Sequence, residues 1–173
     1  MDLAFQPLRR VVTSHRLTDT GGTEVSVSST AIEVDTLPGG QTGMNPVFAT
    51  TGLPVCLPQP TQGDDALQQL RDTRSIVLTN GVNGRIVEMK PGSVFPMHRT
   101  HSIDYNILLG GSVYLITPTP DGEQKTLVRA GEVVIQQGTM HAWEAGPEGA
   151  RWFSVVLHAK YKVNGLELPE IDL

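Results

Sequence analysis

The chain has 173 residues, 39% of them hydrophobic and 18% charged, which indicates one domain with a packed core rather than a disordered chain. Its net charge of −5 comes with no basic cluster, so nucleic acid is not an expected partner. The apolar runs are too short to cross a bilayer, and the first residues lack the apolar core of a secretory signal. The single cysteine, Cys56, cannot form an internal disulfide. We therefore expect a cytoplasmic protein with no membrane partner.

Residues 1–73 are predicted to form an N-terminal, β-rich arm that ends in one short helix. Residues 9–14 and 23–34 have the composition of strands, whereas glycine and proline make residues 38–46 and 51–63 look like loops. Residues 64–73 are rich in helix formers, and Asp64 or Asp65 can cap their start. The arm is predicted to pack on the domain that follows it.

Residues 74–160 are predicted to form a β-barrel, and residues 161–173 a C-terminal tail. β-rich runs alternate with turn residues at a spacing of about ten residues, which predicts an antiparallel sandwich or barrel. We favour an all-β, double-sheet jelly roll over a lipocalin-like up-and-down barrel, because the histidines crowd two runs that lie far apart in sequence. The predicted strands are 75–79, 84–90, 103–109, 112–117, 124–129, 132–136, 139–144 and 151–158.

A homodimer is the expected assembly. The β-rich arm is longer than one jelly roll requires, and its extra strands could pair with the sheet edge of a neighbouring copy.

Side-chain alternation sorts the candidate site residues. On one unbroken strand, every second residue from His98 onward shares a face, whereas His101 points to the opposite side. If the strand that holds His141 lies opposite, His141 can converge with the first set. The residues that share the inward face are His98, Thr100, Ser102, Asp104 and Asn106.

His98, Asp104 and His141 are the candidate catalytic and metal-ligating residues. Two imidazoles and one carboxylate form a common divalent-metal set that suits Fe(II) with open positions, and the same donors hold Zn(II) or Mn(II). His101 is the first substitute ligand. The alternative is a metal-free pocket in which the three residues form a buried, hydrogen-bonded acid–base group.

Four further residues are candidates for substrate binding. Thr100 and Asn106 could hydrogen-bond a ligand from the inward face, and Trp143 shares a face with His141. Arg85 could bind a carboxylate or phenolate. Ordinary core packing is as good an explanation for Asn106 and Trp143, and a solvated surface position is a simpler one for Arg85.

Two segments resemble the paired motifs of the cupin superfamily. In GSVFPMHRTHSIDYNILLGG, residues 92–111, five residues separate Gly92 from His98, and Gly111 closes the motif. Thr100 stands where the second cupin histidine would be, and Asp104 replaces the glutamate. The second motif is matched by GEVVIQQGTMHAW, residues 131–143.

The wording MHRTHSIDY, residues 97–105, is similar to that of one subgroup of small single-domain cupins from fungi and bacteria. The resemblance implies a double-stranded β-helix and a place among natural-product tailoring enzymes.

Three functions follow as hypotheses. The first is a non-redox enzyme that decarboxylates, dehydrates, isomerises or cyclises a small polyketide-like or carboxylated intermediate, with a metal as Lewis acid or a histidine as general base. The second is an Fe(II)-dependent dioxygenase that uses the same three residues. The third is a small-molecule binding module without catalysis.

Overall fold

A computed structural model describes residues 5–52, residue 55 and residues 60–171, except for the side chains of residues 60–65. Cys56 and the side chains of Asp64 and Asp65 therefore lie outside the described part of the chain. No helix within the described ranges is long and apolar enough to cross a membrane.

The described chain is mostly β-structure, with one helix, α1, at Pro60–Thr73. The strands are β1 (Leu8–Leu17), β2 (Thr23–Ile32), β3 (Asp35–Thr36), β4 (Thr42–Thr51), β5 (Gly81–Met89), β6 (Val94–His98), β7 (Ser102–Thr119), β8 (Gly122–Arg129), β9 (Val133–Gln137), β10 (His141–His158), β11 (Lys162–Val163) and β12 (Leu166–Glu167).

Two long strands, β7 and β10, organise the fold. The first half of β10 pairs with β6 and with the second half of β7. The second half of β10 pairs with β5 and with the first half of β7. Each long strand therefore contributes to two sheets, and β8 and β9 extend the two halves of β7. This arrangement is a jelly roll. The up-and-down alternative is wrong, because β5 and β6 each pair with β10 rather than with each other.

The bends occur where glycine permits them. Gly111 has a positive φ of 70° in the middle of β7, a conformation that side chains disfavour. In β10 the register shifts between Ala145 and Ala150, so the strand bulges there. The sequence predicts strand breaks at both points, but the chain bends and continues instead of turning back.

The main core lies between the two sheets. Its residues come from β5, β6, β7, β8 and β10, and they bury two tryptophans together. Burial of apolar surface from both sheets is the main force that holds them face to face. The core consists of Val87, Met89, Phe95, Leu108, Val113, Val128, Trp143, Ala145, Ala150 and Trp152.

The N-terminal part contributes strands to this domain as well as a separate hairpin. Within the described ranges, β1 and β2 pair only with each other, whereas β3 and β4 extend the sheet that holds β5. The inner face of α1 packs on β4 through a second cluster, formed by Ala49, Ala66, Leu67, Leu70 and Leu78. The division at residue 74 stays a prediction.

The structure corrects five local predictions. Residues 38–46 and 51–63 were expected to be loops, but β4 occupies 42–51 and the helix begins at Pro60. The predicted strand at 75–79 is irregular chain. The strand β6 at Val94–His98 was not expected. The stretch from His98 to Asn106 is also interrupted, because β6 ends at His98 and β7 begins at Ser102.

Candidate functional site

Two buried histidines face each other at the start of β10 and the end of β6. His141 and His98 are paired positions in the antiparallel register. Their ring centroids are 4.1 Å apart and their planes are tilted by 56°. The residues are only 3% and 5% exposed, so protein surrounds the pair.

Backbone carbonyls fix the tautomer of both rings. Nδ1 of His98 lies 2.8 Å from the carbonyl oxygen of Pro96, and Nδ1 of His141 lies 2.9 Å from that of Thr139. A carbonyl oxygen only accepts hydrogen bonds, so Nδ1 carries the proton and donates it in each case. Both Nε2 atoms are left with a free lone pair, which is the form that ligates metals or accepts a proton.

Burial keeps this pair neutral at pH 7. It lowers the pKa of His98, and the hydrogen bond to Pro96 offsets only part of that effect. Burial also lowers the pKa of His141 to about 4, with a further contribution from repulsion by a charged His98. The pair can therefore act as a neutral base or as two neutral ligands.

Aromatic rings form the apolar surroundings of the pair. Phe95 meets His98 edge-on at 5.2 Å between ring centroids, and Trp143 meets His141 at 5.7 Å. Trp143 also packs against Trp152 at 5.5 Å within the main core. The predicted substrate-binding residue Trp143 is thus a core residue that touches the histidine pair from one side.

Asp104 does not form a cluster with the two histidines. It lies on the first half of β7, paired with Gln136 of β9 and Val156 of β10. Burial raises the pKa of Asp104, and a hydrogen bond from Ser102 and the charge of Arg85 act in the opposite direction. Among the described residues, no three His, Cys, Asp or Glu side chains come close enough together to hold one metal ion. The structure therefore brings His98 and His141 together but does not add Asp104 to them.

Arg85 is buried rather than solvated, with only 3% of its surface exposed. Its Nε donates to Asn83, and its Nη2 donates to the carbonyl oxygens of Ser75 and Ile76. Burial lowers the pKa of Arg85 to about 10, while Asp104 raises it in part. Most of its N–H groups donate hydrogen bonds to other residues of the protein, so this guanidinium anchors the segment after α1 to β5.

The strand predicted to hold Thr100, His101 and Asn106 is interrupted, but these three residues still point to two different sides. Thr100 and Asn106 are buried. The Thr100 hydroxyl lies 2.8 Å from that of Ser102. His101 faces the C-terminal segment, where its Nε2 lies 2.7 Å from the carbonyl oxygen of Leu168.

A pocket of about 360 Å³ opens beside the histidine pair. His98 and Thr100 form one wall, the chain after α1 forms a second, and the C-terminal segment forms a third. Sequence reasoning missed the second and third walls, because no local pattern indicates that residues so distant in sequence fold over the site. The lining residues are Thr73, Arg74, Ser75, Ile76, Val77, His98, Thr100, Glu170 and Ile171.

Comparisons with known proteins connect the chain to fungal biosynthetic clusters. It is 34% identical to phomopsin biosynthesis cluster protein D of Diaporthe leptostromiformis, over 83% of this chain and 77% of the relative. The oryzines biosynthesis cluster protein J of Aspergillus oryzae is 32% identical over 65% of each chain. The cupin-domain-containing oxidoreductase virC of Hypocrea virens is 29% identical over 57% of this chain and 48% of the relative.

Comparisons with family models and with solved structures give no further assignment. No family model matches the sequence. Among solved structures, the oxalate decarboxylase of Lactobacillus farciminis in a formate complex superposes on 47% of this chain and 25% of its own, with a TM-score of 0.41 and 16% identity.

Proposed function

Since the chain belongs to the cupin family, we propose that it is an enzyme of natural-product biosynthesis that acts on a small organic intermediate. The proposed step is non-redox: decarboxylation, dehydration, isomerisation or cyclisation. The observation that carries the proposal is the buried pair of neutral histidines, with both Nε2 atoms free, next to a pocket of about 360 Å³. The cluster names of the relatives support the biosynthetic setting.

In this proposal, His98 is the general base, because it lines the pocket and its Nε2 is unprotonated. A base must reach the proton that it removes, and it must be neutral before the step. When Nε2 takes a proton, the hydrogen bond from Nδ1 to Pro96 becomes charge-assisted and stronger. His141, 4.1 Å away between ring centroids, disfavours a second proton, so the pair holds one at a time.

A divalent metal is a second way to use the same two residues. His98 and His141 have the tautomer that a metal ligand requires, whereas the predicted third ligand, Asp104, does not fit, because it does not group with them. Fe(II), Zn(II) or Mn(II) bound to the two Nε2 atoms would supply Lewis-acid stabilisation of negative charge on a substrate oxygen.

The second candidate function is an oxidoreductase, including the Fe(II)-dependent dioxygenase considered from the sequence. It is favoured by the names of the relatives in Hypocrea virens and Aspergillus ruber, both of which are called cupin-domain-containing oxidoreductases. A binding module without catalysis is the third. A cytoplasmic location stays a prediction.

The test compares metabolites in a producing host that carries the wild-type chain, His98→Asn or His141→Asn. We expect both variants to accumulate the same intermediate. His15→Asn is the matched control, because His15 is exposed on the N-terminal hairpin, and it should behave like wild type.

The mass change between intermediate and product identifies the reaction. Loss of carbon dioxide, loss of water or no change in mass supports the non-redox step. Gain of oxygen, together with tightly bound iron and loss of turnover without dioxygen, supports the oxidoreductase. Unchanged product in both histidine variants would refute a catalytic role for the pair.

A further inference from the structure

A series of buried amide and hydroxyl groups crosses three neighbouring strands on the inner face of the barrel. Ser154 of β10 donates its hydroxyl to Oδ1 of Asn106 on β7. Asn106 donates its Nδ2 to Oε1 of Gln136 on β9 at 2.9 Å. All three residues are buried, between 4% and 6% exposed, so bulk water does not compete for these bonds.

The hydrogen bonds of this series all run in the same direction, and the last group in the series is a hydrogen-bond donor. Each amide oxygen accepts from the residue before it, so each amide nitrogen points onward. Nε2 of Gln136 is the last group in the series, and it has no hydrogen-bond partner within the described part of the chain.

An unused acceptor lies on the adjacent strand. Oδ1 of Asp104 also lacks a hydrogen-bond partner among the residues that the structure describes. Asp104 and Gln136 are paired positions of β7 and β9, so their side chains share a face about 5 Å apart at Cβ. Their exposed fractions are 7% and 5%, and buried polar atoms are rarely left unpaired in folded proteins.

We propose that Asp104 and Gln136 together bind a hydroxyl group of the substrate. Gln136 Nε2 donates a hydrogen bond to the hydroxyl oxygen, and Asp104 Oδ1 accepts a hydrogen bond from the hydroxyl. A hydroxyl is the smallest group that donates and accepts through a single atom, and one oxygen can bridge two side chains at this spacing. Burial raises the pKa of Asp104, while the hydrogen bond from Ser102 and the nearby charge of Arg85 act in the opposite direction. A carboxylate ligand would be repelled by Asp104, and an ammonium group could not accept from Gln136.

This inference rests on the proposed function and names its substrate class: a phenol, an enol or an alcohol. It also gives Asp104 a role different from the metal-ligating role predicted from the sequence. Asp104 becomes a specificity-determining residue that recognises the substrate instead of ligating a metal with the histidine pair.

The test is a binding experiment that needs no turnover, so it fails or succeeds independently of the catalytic proposal. The probes are phenol and anisole, which have the same ring, but anisole has no proton to donate to Asp104. We expect ¹⁵N-labelled wild-type protein to bind phenol about tenfold more tightly than anisole, in line with the loss of one charge-assisted hydrogen bond. Phenol should also shift the side-chain amide signals of Gln136.

Two variants and one control complete the test. Gln136→Leu should weaken the binding of both probes, because both oxygens accept from Gln136. The isosteric Asp104→Asn should reduce the preference for phenol, because only phenol donates to Asp104, and it decides the question if Gln136→Leu fails to fold. Gln137→Leu is the matched control, because Gln137 is exposed on the opposite face of β9, and it should bind like wild type. Equal affinity for the two probes in the wild type, no binding of phenol, unchanged affinity for phenol in a folded Gln136→Leu variant, or an unchanged preference in a folded Asp104→Asn variant would overturn the proposal.

Discussion

Replacing His141 with asparagine should make the stability of the metal-free protein less sensitive to acid. In the unfolded chain His141 takes up a proton near pH 6.5, whereas in the folded chain its pKa is lowered to about 4. Between these values the unfolded state binds more protons than the folded state, so the free energy of unfolding falls as the pH falls from 6.5 to 4. At about 1.4 kcal/mol for each pH unit, the interval corresponds to about 3 kcal/mol.

Urea unfolding at several pH values between 7 and 4 measures this difference. Trp143 and Trp152 are both buried, so their fluorescence reports the transition. Asparagine keeps an amide donor near the position of Nδ1, so the hydrogen bond to Thr139 can be retained while the titrating group is removed. We expect the wild type to lose about 3 kcal/mol more than His141→Asn over this range. Parallel pH profiles for the two proteins would refute the assigned pKa and its cause.

Three further predictions concern the scaffold and the assembly. Gly111→Ala should destabilise the fold by more than about 2 kcal/mol, because its Cβ would collide with the backbone of Gly149. Gly92→Ala has a similar φ and no atom near its Cβ, so chemical denaturation should show a loss of only about 1 kcal/mol. Arg85→Lys should cost about 2 kcal/mol and increase proteolysis near residues 75–77, since lysine cannot replace the hydrogen bonds of the guanidinium. We propose a homodimer formed through the N-terminal hairpin, where Val27 is 67% exposed; light scattering should show a dimer for the wild type and a monomer for Val27→Lys, and a wild-type monomer at micromolar concentration would contradict it.

The fold class was predictable because it depends on patterns that are local. Short runs of alternating residues separated by glycine and proline indicate an antiparallel β-structure wherever they occur. The same alternation places His98 and Asp104 on the inward side, and both are buried. Glycine at 110–111 indicated a change of direction, although not whether the chain would turn back or bend.

The composition of the site was less predictable, because alternation identifies a face but not a sheet. Because β6 ends at His98 and β7 begins at Ser102, His98 and Asp104 lie on different strands, and β10 pairs His141 with His98. The walls of the pocket depend on contacts between residues such as Arg99 and Ile171, which are distant in sequence. No pattern within either segment encodes their meeting.

The bulge in β10 has a consequence for substrate size. His141 begins this strand, and Ser154, which starts the hydrogen-bond series to Gln136, lies beyond the register shift between Ala145 and Ala150. One continuous stretch of backbone therefore sets the separation between the imidazoles proposed to be catalytic and the groups proposed to bind a substrate hydroxyl. Lengthening or shortening the chain at 146–149 would change that separation without altering either set of side chains. Changes in the length of this segment would therefore adapt the site to longer or shorter molecules.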